Sequence, residues 1–162
     1  MVKKVIILAL LVVSMTALFA AKAPSFTIET LEGDIVRSEA LLEKGPIFLD
    51  FWSTSCAPCL KALPHFNEFA KKYKDMNFVA VSTDSPRNKN KVVQMVRSNR
   101  WVFINGFDSS KELQRLFNVT AIPRTIIINQ AGEIVYDSTS FTPGDEKKYE
   151  EQIIKVLQAG KE

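Results

Sequence analysis

The chain has 162 residues, 46% of them hydrophobic and 24% charged, with a formal net charge of +3. This is the composition of an ordinary globular protein, and the length suits one domain with a sizeable core. Two of the positive charges, Lys3 and Lys4, lie in the first twenty residues; without that stretch the charge is +1, and the case for a nucleic-acid partner disappears.

Residues 1–20 read as a secretory signal peptide. Lys3 and Lys4 form a basic start, Val5 to Ala20 is an unbroken run of apolar or small residues, and Ala20, Ala21 and Ala23 offer small residues near a cleavage point. An uncleaved membrane tether through residues 5–20 is the alternative. Both place the folded part, residues 24–162, in a periplasmic or otherwise extracytoplasmic space.

Phe26-Thr27-Ile28 alternates as a short strand, and Leu31-Glu32-Gly33-Asp34 turns the chain into Ile35-Val36. Ser38 is the expected N-cap of a short helix through Leu42. Ile47 to Trp52 is too apolar for a surface strand and suits a central strand covered on both faces. From Cys59 to about Tyr73 apolar residues recur at helical spacing, and Pro64 inside that pattern should kink the helix without ending it. His65 reads as a surface residue, and the basic runs 71–74 and 87–91 as solvated faces or loops.

Asn77 to Ser82 is the next strand, and Asp84-Ser85-Pro86 opens a polar helix to about Ser98, with Val92, Val93 and Val96 inward. Trp101-Val102-Phe103 reads as a short strand, and Ser109-Ser110 as the cap of a helix holding Leu113, Leu116 and Phe117. Thr125 to Ile128 is a buried strand; Ala131-Gly132 turns it into an antiparallel partner at Glu133 to Tyr136. Tyr149, Ile153, Val156 and Leu157 form the inner face of a final helix. The alternation of strands and helices predicts an α/β fold with an antiparallel edge.

Both cysteines lie in one motif, Cys56-Ala57-Pro58-Cys59, between the central strand and the helix that follows. A helix start carries unpaired N–H groups and a partial positive charge, which stabilise a thiolate placed there. The two-residue spacing lets the second thiol reach the first. A loop this short would constrain the unfolded chain very little, so a purely structural disulfide is a poor explanation. Two thiols and one histidine do not complete the usual zinc set, and no metal or cofactor is expected.

The stretch Leu49-Asp50-Phe51-Trp52 through Cys56-Ala57-Pro58-Cys59 to Pro64, with Ile122-Pro123 before a late strand, resembles the signature of thioredoxins. The exported leader, the N-terminal strand-turn-helix and the long interval from Cys59 to Pro123 are similar to the TlpA/ResA branch, extracytoplasmic thiol-disulfide oxidoreductases. The likeness covers about Pro24 to the C-terminus. It implies a thioredoxin-like fold: a central mixed sheet flanked by helices, with an N-terminal extension and an inserted strand-helix element.

It also implies roles. Cys56 would be the exposed nucleophile and Cys59 the buried resolving thiol, the two forming a redox disulfide. Asp50 would be a buried carboxylate relaying protons to and from Cys59. Trp52, Ala57, Pro58, Ile122 and a cis Pro123 would form the surface that meets the substrate. Disulfide-containing client proteins and a membrane-embedded thiol electron donor are the implied partners. The Ala57-Pro58 dipeptide is closer to the Gly-Pro of reducing thioredoxins than to the Pro-His of strong oxidants, which favours a reductase.

Two positions depart from thioredoxins. Ser55 stands where they often carry tryptophan, and Arg124 follows Pro123 where small residues are common, a cation suited to acidic partners or to modifying Cys56. The rival functions are a dithiol oxidase, a thiol peroxidase and a copper-binding or holdase module. Peroxiredoxins place Thr three residues before the reactive cysteine and Pro four before that; Ser53 and Leu49 stand there, against that reading.

Overall fold

Strand β3 (Ile47–Trp52) is buried at every one of its positions and lies third in a five-stranded sheet of order β5-β4-β3-β6-β7. The computed structural model describes residues 21–160; the leader expected at residues 1–20, and the tether through residues 5–20, fall outside them. Parallel pairing joins β3 to β4 (Asn77–Ser82) and β4 to β5 (Ile104–Phe107). On its other side β3 runs antiparallel to β6 (Arg124–Ile128), which makes a hairpin with β7 (Ile134–Thr139). The parallel steps need crossovers, and helices supply them. These are α2 (Ala57–Lys72) before β4, then a 3-10 turn at Pro86–Asn88 and α3 (Lys89–Asn99) before β5.

Successive side chains of β3 go to opposite faces. Phe48 and Trp52 join Phe66 and Phe69 of α2, Val92 and Val96 of α3, and Tyr149 and Ile153 of the final helix α5 (Glu146–Ala159). Ile47, Leu49 and Phe51 join a second cluster with Phe26, Ile28, Leu41, Leu113 and Phe117. That face is covered by the hairpin of β1 (Thr27–Glu29) and β2 (Ile35–Arg37), by α1 (Ser38–Leu42) and by α4 (Glu112–Leu116). The expected central mixed sheet, N-terminal extension and additional strand-helix element (α3 and β5) are all present. Gly106 is where the hairpin meets the sheet: a Cβ there would come within 2.6 Å of the Ile28 side chain.

Ala21–Ala23 adds a short length of backbone to the edge of the β6–β7 hairpin. Ile134 N donates to Ala21 O at 2.8 Å and Ala23 N to Gly132 O at 2.9 Å. The cross-strand register puts this segment beyond the Ile47–Ile128 end of the sheet.

Three local expectations are corrected. No strand forms at Trp101–Phe103; β5 begins at Ile104, where pairing with Val79 starts. The alternation that suggested a strand comes from Trp101 and Phe103 turning inward to stack at 5.6 Å while Val102 faces out. Ser38 does not cap α1: it is the helix's first residue, and its hydroxyl accepts from Phe26 N at 3.0 Å, tying β1 to the helix. Ser109-Ser110 does not cap α4 either. The Asp108 carboxylate does so instead, accepting from Leu113 N at 3.1 Å and Gln114 N at 2.8 Å, where a charged acceptor is stronger than a hydroxyl. Leu116 of that helix is 43% exposed.

Candidate redox site

β3 ends at Trp52, and the chain turns through Ser53-Thr54-Ser55 to bring Cys56 to the N-cap of α2. Cys56 N donates to Ser53 O at 3.1 Å, closing the turn. Cys56 and Cys59 form a disulfide, Cys56 half-buried and Cys59 fully buried. Cys59 N donates to the Cys56 sulfur at 3.2 Å, so an unpaired N–H of the helix start already points at that sulfur. Ala57 and Pro58 are exposed in the first turn, where the missing N–H of proline costs no helical hydrogen bond.

The turn is held from below by a residue that sequence reasoning assigned only to the opening of a helix. Asp84, just past the end of β4, is buried; its carboxylate accepts from Thr54 N and Thr54 Oγ1, both at 2.8 Å, from Ser82 Oγ at 3.0 Å and from Asn88 Nδ2 at 3.3 Å. The signal available in the sequence was an acidic residue directly after an apolar strand. Its partner thirty positions earlier was not readable.

Asp50, two residues before the end of β3, is 1% exposed on the Phe48 and Trp52 face. Burial raises its pKa from 3.8 to about 8, and the Thr125 hydroxyl, donating to Oδ1 at 2.8 Å, pulls the other way. The second oxygen, Oδ2, is buried with no partner. This carboxyl therefore holds its proton at neutral pH and has a free oxygen with which to exchange one. Trp52 lies edge-on to Trp101, ring centroids 5.3 Å apart, in the cluster that contains Cys59.

The Ile122-Pro123 peptide bond is cis, as the resemblance implied. It immediately precedes β6, whose Arg124 pairs with Phe51, so it lies at the dithiol end of the sheet. Pro123 O accepts from Ser140 N at 2.9 Å, and Ser140 O accepts from Tyr149 Oη at 3.2 Å. Neither Ser140 nor Tyr149 was read as part of the site. Arg124 is not free for partners: its guanidinium makes two hydrogen bonds to Asp137, at 2.9 and 2.7 Å, and a third to Asn118 O. His65 is exposed on the outer side of α2.

The thioredoxin-like family model matches residues 45–134, more than half of the chain and the whole span from β3 into β7. The chain belongs to the thioredoxin-like family. Among curated relatives it is similar to the thiol-disulfide oxidoreductase ResA of Bacillus subtilis, 30% identical over 70% of this chain and 63% of that protein. It is also similar to the sporulation thiol-disulfide oxidoreductase A of the same organism, 31% identical over 67% of each. The chain spans about two thirds of the length of the curated relatives it matches, 66% for ResA of Bacillus thuringiensis.

Among solved structures, this thioredoxin-like chain superimposes on one from Chlorobium tepidum described as a thiol:disulfide interchange protein DsbE. The TM-score is 0.78 at 27% identity, over 86% of this chain and 97% of that one. StoA from Bacillus subtilis gives 0.66 at 26% identity, over 80% and 97%.

Proposed function

We propose that the protein is an extracytoplasmic thiol-disulfide oxidoreductase that reduces disulfides of client proteins. The observation that carries this is the Cys56–Cys59 pair at the start of α2, one sulfur reachable and the other buried, in the same packed cluster face as the protonated Asp50. The names of the ResA and DsbE relatives support the same chemistry.

In the reduced protein the Cys56 thiolate attacks a client disulfide. A Cys56–client bond forms, and the client's other sulfur leaves as a thiolate. The ionised fraction of Asp50, the minor form at neutral pH because burial raises its pKa to about 8, takes the Cys59 proton; the Cys59 thiolate attacks the Cys56 sulfur, closing the intramolecular disulfide and expelling the client's second thiolate. The client gains two electrons and two protons, and the dithiol loses them. Ala57, Pro58 and Ile122, with the backbone at the cis Pro123 bond, form the surface the client meets; Trp52, expected there from the resemblance, is 1% exposed and packs beneath that surface. A membrane-embedded thiol donor returns the electrons. Residues 1–20 serve as the export signal or as a tether, and residues 24–162 form the catalytic domain.

The test is capture. With Cys59→Ser the second attack is blocked, so a disulfide-containing client such as insulin accumulates on Cys56 as a mixed disulfide sensitive to dithiothreitol, and the intact dithiol precipitates insulin by reducing it. No adduct with Cys59→Ser, together with no insulin reduction by the intact protein, contradicts the reading.

A further inference from the structure

Pro123 leaves a gap in the backbone pairing that another element fills. Its carbonyl faces Ser140 just past the end of the β6–β7 ladder and accepts from Ser140 N at 2.9 Å. In a hydrogen-bonded antiparallel pair a second bond would run back, from the N–H of one residue to the C=O of the other. Proline has no N–H, so the Ser140 C=O has no donor opposite it. Ser140 takes a left-handed backbone, φ 84°, in which its N–H stays on Pro123 O while its C=O accepts from Tyr149 Oη of α5 at 3.2 Å. The tyrosine hydroxyl stands in for the donor that proline lacks.

Tyr149 is firmly held. It is 1% exposed, edge-on to Phe66 of α2 at 5.4 Å and stacked on Phe141 at 6.1 Å. The same helix α2 carries the dithiol at its start. One side chain therefore packs against the dithiol helix and bonds the residue that holds Pro123. Ile122, next to it, is half-buried, and among the described residues nothing pairs with its backbone N–H or C=O. Both groups are open to an extended chain laid along this edge.

We propose that Tyr149 is a positioning residue for polypeptide clients: through Ser140, its hydroxyl holds the Ile122-Pro123 edge where a client backbone can pair while the client disulfide meets Cys56. This rests on the client surface given above. Tyr149 takes no part in the exchange of sulfur bonds. A small disulfide with no backbone to pair does not need the edge, and a polypeptide disulfide does.

The experiment uses the full chain with Cys59→Ser, in which Cys56 forms one mixed disulfide and stops. The rate of that step is measured with two probes, insulin and 5,5′-dithiobis(2-nitrobenzoate). Tyr149→Phe keeps the ring and removes only the hydroxyl. It slows adduct formation with insulin about tenfold, the worth of one positioned hydrogen bond, and leaves the rate with the small disulfide unchanged. Exchange of the Ser140 amide, followed by NMR, becomes faster in the same variant because its bond to Pro123 O loosens. With the dithiol intact, the loss appears as a higher KM for insulin at unchanged kcat.

Equal insulin rates with and without the hydroxyl overturn the proposal. Equal slowing with both probes overturns it too, because that marks general loosening of the site. No insulin adduct with Tyr149 in place contradicts the client reading itself, and the positioning role falls with it.

Discussion

Asp50 folds with a penalty on its charge, and the penalty has a sign that can be measured. An unfolded aspartate loses its proton near pH 4, whereas burial holds the folded group's pKa at about 8. Between those values the folded state binds the extra proton. The stability is therefore full below about pH 4 and is lost as pH rises through 8, by up to about 1.4 kcal/mol per unit. Urea unfolding of the disulfide form from pH 4 to 9 should show that decline, and Asp50→Asn should flatten it; a wild-type profile as flat as the variant's contradicts the assignment. The burial of Asp50 was legible because Leu49 and Phe51 flank it in an apolar strand. Its partner Thr125 was visible only as the polar start of the expected strand Thr125 to Ile128; the pairing depends on cross-strand register, which no local pattern encodes.

At the scale of the element, the turn that delivers Cys56 depends on Asp84. Asp84→Ala leaves the buried Thr54 N and Oγ1 without acceptors, and the expected loss is about 1–3 kcal/mol, read as a lower urea midpoint with faster exchange of the Thr54 amide. Wild-type exchange at Thr54 would show that the turn holds without it. Ser140 stands at φ 84°, a left-handed backbone that favours glycine, while its N–H holds Pro123 O. Ser140→Gly should relieve about 1 kcal/mol and raise Tm by about 2–4 °C; a lower Tm contradicts the strain. The long elements were readable because their periodicity runs over several turns or a whole strand: α2, α5, β3 and β4 lie where the pattern put them. The short ones were not. α1 and α4 have five residues each, and tertiary hydrogen bonds from Phe26 and to Asp108 replaced the serine caps that local chemistry suggested.

On the scale of the whole molecule, the sheet order explains why one sequence motif gathers a site from distant segments. The dithiol turn, the end of β4 and the cis Ile122-Pro123 bond reach the same end of the sheet because β3 is central, parallel to β4 and antiparallel to β6. Ala21–Ala23 joins the sheet at the other end, so a tether through residues 5–20 would attach at the pole opposite the dithiol. The layered α/β architecture was legible from the alternation of elements. The added β5 edge was displaced by three residues because the chain after α3 first buries Trp101 and Phe103. What the fold leaves to the dithiol itself is the direction of electron flow, for related scaffolds differ by about 150 mV, about 7 kcal/mol for two electrons. The equilibrium reduction potential of Cys56–Cys59 in the full chain decides it. The account predicts about −250 mV or lower, the range of disulfide reductases fed by a donor; a value near −120 mV would make the protein a disulfide-forming oxidant and contradict it.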